Sequence, residues 1–129
     1  MTALGAGAGC VVDASALLAY LFGETGKDAV RDRLRRGGAV CSAANWSELA
    51  QKVGQKGKDW SLAKGLLSRR VNVVPVTQAD AEAAARLWPS HPELSLGDRL
   101  CLALRQRLAV PAVTADLGWA GLDGVELIR

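Results

Sequence analysis

Short apolar runs alternate along this chain with longer stretches in which apolar residues return every three or four positions. "GCVVD" (9–13) predicts a short buried strand ending at Asp13. "SALLAYLF" (15–22) predicts a helix, with Asp13 or Ser15 as its cap and Gly23 as its stop. "TGKDAVRDRLRR" (25–36) places Ala29, Val30 and Leu34 on one side and cations on the other, and a glycine pair at 37–38 then turns the chain. "AVCS" (39–42) is a second strand. "AANWSELAQKVGQK" (43–56) is helical, with Trp46, Leu49 and Val53 at helical spacing. A helix in "DWSLAKGLLSRR" (59–70) leads to the strand "VNVVPV" (71–76). "TQADAEAAARLW" (77–88) opens on a capping box from Thr77 to Asp80. Pro89 and Pro92 bound a loop. The helix of "LSLGDRLCLALRQRL" (94–108) follows, then a strand in "PAVTAD" (111–116), a short helix in "LGWAGL" (117–122) and a last strand in "GVELIR" (124–129).

Short apolar strands alternating with helices imply βα units, and hence a parallel sheet covered on both faces. The fold class expected is α/β, a three-layer α/β/α sandwich. The 129 residues suit one domain, half of them are apolar and 22% are charged, which favours a packed core over disorder. Residues 1–9, with "GAGAG" at 5–9, are expected to be a flexible tail, and residues 10–129 a single domain. Those glycines precede a strand, whereas the dinucleotide-binding fingerprint needs them between strand and helix.

The three cysteines, Cys10, Cys41 and Cys101, form no CxxC pair and sit among apolar residues. Reduced core thiols are expected, with neither a zinc ribbon nor a disulfide framework. The N-terminus lacks a basic region followed by a long apolar run, and no apolar run nears the ~20 residues of a membrane span. A cytoplasmic protein is expected.

The net charge of +3 is unevenly spread. From Leu49 to Arg70 stand six cations (Lys52, Lys56, Lys58, Lys64, Arg69, Arg70) against the single anion Asp59. Such a segment is either a solvated helical face or a surface for phosphate backbones.

In an open parallel sheet, reactive groups gather beyond the carboxyl ends of the strands. Asp13 and Asp116 end two strands; Asp98 opens a helix; Glu48 lies about one turn into another. Each has an ordinary alternative. Asp13 can cap a helix, Asp98 can close a capping box with Ser95, Asp116 can cap "LGWAGL", and Glu48 can be a solvated acid. Gathered in one cleft, four carboxylates would repel one another and raise some pKa values, a cost that a divalent cation removes. Hard oxygen donors without histidine or thiolate select Mg²⁺ or Mn²⁺ over zinc. Acids grouped around such an ion, beside basic helices, point to phosphodiester cleavage. Other chemistries lack parts. His91 is the lone histidine, in a proline-bounded loop, and there is no G-x-S-x-G elbow or Walker loop. A receiver-type phosphoacceptor needs a lysine past a late strand, and "LGWAGLDG" after Asp116 has none.

The four acids and their neighbours resemble a PIN domain, and more closely the VapC-type toxins of bacterial toxin–antitoxin pairs. The matching pieces, in the family's order, are "VVDASALLAYLFGE", "SAANWSELAQKV", "LSLGDRLCLAL" and "PAVTADLGWAGLDGVELI". The resemblance implies a Mg²⁺- or Mn²⁺-dependent endoribonuclease with Asp13, Glu48, Asp98 and Asp116 as catalytic, metal-binding acids. Ser15 and Thr114 match hydroxyl positions that orient acids or water, and Asn45, one turn before Glu48, is expected to face the same cleft. Lys52 and Lys56 are expected to hold RNA by its backbone. The resemblance also implies a homodimer and a small antitoxin partner. A catalytically silent, dimeric binding module of the same fold is the alternative. Gly97 stands where a helix former is more usual; the expectation is a looser helix start with no ligand lost.

Overall fold

The computed structural model describes residues 7–129. The strands are β1 (Cys10–Val12), β2 (Ala39–Ser42), β3 (Val71–Val74), β4 (Ala112–Thr114) and β5 (Val125–Leu127). The helices are α1 (Ala14–Phe22), α2 (Lys27–Arg36), α3 (Ala43–Gln55), α4 (Trp60–Leu67), α5 (Gln78–Leu87) and α6 (Leu96–Leu108), with a 3₁₀ turn at Leu117–Trp119. The strands form one all-parallel sheet in the order β3-β2-β1-β4-β5. This is the expected α/β class.

Alternation along the strands sorts the two helical layers. Val12, Ala39, Cys41 and Val71 point to one face, where Leu17, Val30, Leu34, Leu49, Val53 and Leu67 of α1–α4 cover them. Val11, Val40, Val74 and Ala112 point to the other, against Cys101, Leu102 and Leu104 of α6 and the fully buried Trp119. Each such leucine or valine contributes roughly 1.5–3 kcal/mol by leaving water. All three cysteines are free and buried, as expected. Trp46 packs edge-on against Trp60, with ring centroids 5.1 Å apart, so it too serves packing.

Element ends follow local chemistry. Asp13, not Ser15, caps α1: its side chain accepts from the Ala16 N–H, and Gly23 stops the helix in the left-handed region at φ 67°. β3 stops at Val74 because Pro75 has no N–H for the ladder. "LGWAGL" yields a single 3₁₀ turn, capped by Asp116. Capping boxes form at Thr77–Asp80 and at Ser95–Asp98.

Residues 1–6 of the expected tail lie outside the described residues. Next to them, Ala8 packs on the α6-side core and the Gly9 N–H donates to the Gly38 carbonyl at 2.7 Å. Among the described residues no helix is long and apolar enough to cross a membrane.

Candidate active site

The strand order reverses at β1. Its neighbours are β2 on one side and β4 on the other, so the chain leaves β1 in both directions. A crevice opens where the connections diverge, beyond the carboxyl ends of β1 and β4. Register fills it. Val12 pairs with Val113, so one step further Asp13 stands beside Thr114, and the Asp13 N–H donates to the Val113 carbonyl. By alternation both side chains point to the face that α6 covers.

Asp13 is 4% exposed and heavily bonded. The Thr114 hydroxyl donates to its Oδ2 at 2.6 Å, the Ala16 N–H to its Oδ1 at 2.8 Å, and the Ser15 hydroxyl lies 2.8 and 2.9 Å from the two oxygens. Ser15 and Thr114 are themselves 3.1 Å apart. Burial still dominates: it pushes the Asp13 carboxyl up to about 6, with the Asp98 charge adding to it, while the bonds from Thr114, Ala16 and Ser15 pull the other way. Ser15 and Thr114 also fix the strand exit. The Ala115 N–H donates to Ser15 Oγ, and the Asp116 N–H to Thr114 Oγ1. Ser15 therefore ties the first strand end to the fourth.

The other three acids stand at the same end of the sheet and are more exposed than Asp13. Glu48 and Asp98 are half-buried and Asp116 is exposed. The α3 and α6 N-termini meet at the same sheet edge: Asn45 Nδ2 donates to Glu48 Oε1 at 2.8 Å and to the Gly97 carbonyl at 3.1 Å. Asp98 Oδ2 accepts from the Ser95 N–H, and Asp116 Oδ1 from the Gly118 N–H. Each of these caps uses one carboxylate oxygen and leaves the other without a protein hydrogen bond among the described residues. Beneath the acids lie the Cys41 and Cys101 thiols. Burial pushes both well above the ordinary thiol range, and the charges of Asp13 and Glu48 add to the effect. Neither thiol is a nucleophile at neutral pH.

The donors are carboxylate and amide oxygens, a set that fits a hard divalent cation. Asn45 Oδ1 is buried with no partner beside Glu48, an unmet polar atom in the same crevice. Among the described residues, no three His, Cys, Asp or Glu side chains converge closely enough, as they lie, to hold one ion together.

The basic residues divide. Lys52 is exposed on α3 one turn beyond Glu48, at the flank of the crevice. Lys56 lies two turns beyond Glu48, about 12 Å along the axis, with its ammonium 5.0 Å from the Phe22 ring centroid at the far end of α1. The structure does not bring Lys56 to the acids.

At Gly97 the structure adds what local pattern does not show. The Ser95–Asp98 capping box around it is complete. A Cβ at position 97 would lie 2.2 Å from Glu48 Oε1. The available signal was a glycine within a helix that no turn demands.

The comparisons agree with this architecture. A comparison with curated proteins returns no match. Among solved structures, a toxin–antitoxin complex from Klebsiella pneumoniae superposes with a TM-score of 0.74 at 21% identity, covering 93% of this chain and 98% of that one. A sarcin–ricin loop cleaving VapC toxin of Mycobacterium tuberculosis gives 0.72 at 20% identity, over 92% and 98%. DNA-bound VapBC from Salmonella typhimurium gives 0.74 at 12% identity, over 95% and 99%. At these identities the likeness is one of fold. The PIN domain family model matches residues 10–125, nearly the whole described chain, and the protein belongs to the PIN domain family.

Proposed function

We propose that this protein is a divalent-metal-dependent endoribonuclease, the toxin half of a toxin–antitoxin pair, using Mg²⁺ with Mn²⁺ as substitute. The observation that carries the reading is the buried Asp13 carboxylate, tied by Thr114 and Ser15 to the β1–β4 crevice, with Glu48, Asp98 and Asp116 around it. Burial, with the Asp98 charge added, raises this carboxyl to about 6, and a divalent cation held beside it would offset that cost. Membership of the PIN family and fold likeness to toxin structures support the same reading.

Asp13, Glu48, Asp98 and Asp116 would hold the ion. A bound ion would supply a water of lowered pKa, able to lose its proton and attack phosphorus, and a positive charge to offset that developing on the phosphate. The chain's own groups prepare that site. Thr114, Ser15 and the Ala16 N–H fix both oxygens of Asp13. Asn45 orients Glu48 through Oε1, Ser95 orients Asp98 through Oδ2, and Gly118 orients Asp116 through Oδ1. One carboxylate oxygen on each of these three has no protein hydrogen bond among the described residues. Lys52 supports the RNA backbone by charge, without reading sequence. The antitoxin and a second copy of the chain are the proposed protein partners.

The test is incubation of the purified protein with structured RNAs, with Mn²⁺ or with chelator, beside Asp13→Asn and Asp98→Asn. Cleavage that needs Mn²⁺ and fails in both variants supports the reading. Attack by water leaves 5′-phosphate and 3′-hydroxyl ends, whereas 2′,3′-cyclic ends would refute this chemistry. Equal cleavage by all three proteins would remove the acids from catalysis. Inactivity of the wild type on every RNA favours the silent binding module.

A further inference from the structure

Gly97 is the second residue of α6, after Ser95 as cap and Leu96 as the first helical residue. Glycine weakens a helix there relative to alanine. Its backbone does not call for glycine, since it lies outside the positive-φ positions of the chain. The reason is space. A Cβ at 97 would meet Glu48 Oε1 at 2.2 Å, Cδ at 2.9 Å and Oε2 at 3.3 Å, so the three nearest atoms all belong to one carboxylate. The same carboxylate is held by Asn45. That amide is 1% exposed and uses Nδ2 to bridge Glu48 Oε1 and the Gly97 carbonyl, while its Oδ1 stays buried without a partner. The bare Cα of Gly97 and the Asn45 amide thus form a seat for Glu48 at the start of α6, next to Asp98.

We infer that Gly97 is a positioning residue: its missing side chain lets the Glu48 carboxylate lie against the first turn of α6, and a Cβ there displaces Glu48 from its seat beside Asn45 while the fold persists. The inference rests on the metal-site reading where it concerns metal, and on the Glu48 contact alone where it concerns stability.

The test combines Gly97→Ala, Glu48→Ala and the double variant, each measured without metal by thermal melting and then titrated with Mn²⁺ alone. Alanine favours the helix, so Gly97→Ala in the Glu48→Ala background should raise Tm. With Glu48 in place, displacing the carboxylate offsets that gain, so the rise is smaller or reversed. In the Mn²⁺ titration, Gly97→Ala should weaken binding about tenfold, Glu48→Ala at least as much, and the double variant no further than Glu48→Ala. Equal Tm shifts in the two backgrounds overturn the inference. So does full Mn²⁺ affinity in Gly97→Ala when Glu48→Ala has lost it. Full affinity in Glu48→Ala removes Glu48 from the metal site and leaves the melting comparison to decide the seat.

Discussion

Thr114 donates its hydroxyl to Asp13 Oδ2 at 2.6 Å across the seam between β4 and β1. This bond joins residues 101 positions apart and forms because the parallel register places the two strand ends side by side. Ser15 closes the third side, so a buried carboxylate is held by two hydroxyls and a backbone N–H.

Removing the Thr114 hydroxyl should therefore be felt at Asp13. Thr114→Val keeps the shape and deletes one donor, at a cost of about 1–3 kcal/mol. The lost bond is one that lowers the Asp13 pKa, so the carboxyl should move further up. Thermal melting and a pH titration of Mn²⁺ binding test this. Binding half-saturation at an unchanged pH would show that the hydroxyl does not tune the acid.

Asp13 also sets a pH dependence of stability in metal-free protein. Its folded pKa of about 6 lies above the 3.8 of a free aspartate carboxyl, so the folded state holds the proton more tightly. That stabilisation is complete below pH ~4 and is lost as pH rises through ~6, a swing of roughly 3 kcal/mol. Asp13→Asn, neutral throughout, should melt higher than the wild type above pH 6, lose that advantage below pH 4, and lose RNA cleavage. A lower Tm for the variant at pH 7.5 would contradict the burial argument.

The cations should separate by position. Lys52→Glu should weaken RNA binding and reduce the slope of log affinity against log salt by about one. Lys56→Glu should change it little, because its ammonium sits over Phe22, two turns from Glu48. Filter binding across salt concentrations distinguishes them; equal effects would mean the RNA path crosses the end of α1.

Asp80 tests the scaffold away from the site. Although burial opposes its charge, the Arg107 guanidinium and the Thr77 cap hold its carboxyl below the usual range. Asp80→Ala removes an ion pair between α5 and α6 together with half of a capping box. It should cost roughly 2 kcal/mol, measured by urea unfolding, with Mn²⁺ affinity preserved. Wild-type stability should return toward the variant's value as pH falls below the Asp80 pKa, since protonation removes the same charge.

Much of this protein is written in local chemistry. Apolar runs of strand length, helical periodicity, the Thr77–Asp80 and Ser95–Asp98 boxes and the stop at Gly23 each depend on neighbours a few residues away, so the sequence determines the elements and their order. The nearness of Asp13, Glu48, Asp98 and Asp116 to one sheet edge follows from that order, because parallel strands expose their carboxyl ends together. Three features needed the tertiary structure. Ser15, a cap candidate in sequence, became a bridge between two strand ends, because register brings Thr114 to it. Lys56 proved to set its ammonium over the Phe22 ring, because the end of α3 packs beside the end of α1. Gly97, locally a weakness in a helix, became the space that Glu48 occupies, because the close approach of α3 to α6 is a contact between elements that no local pattern encodes.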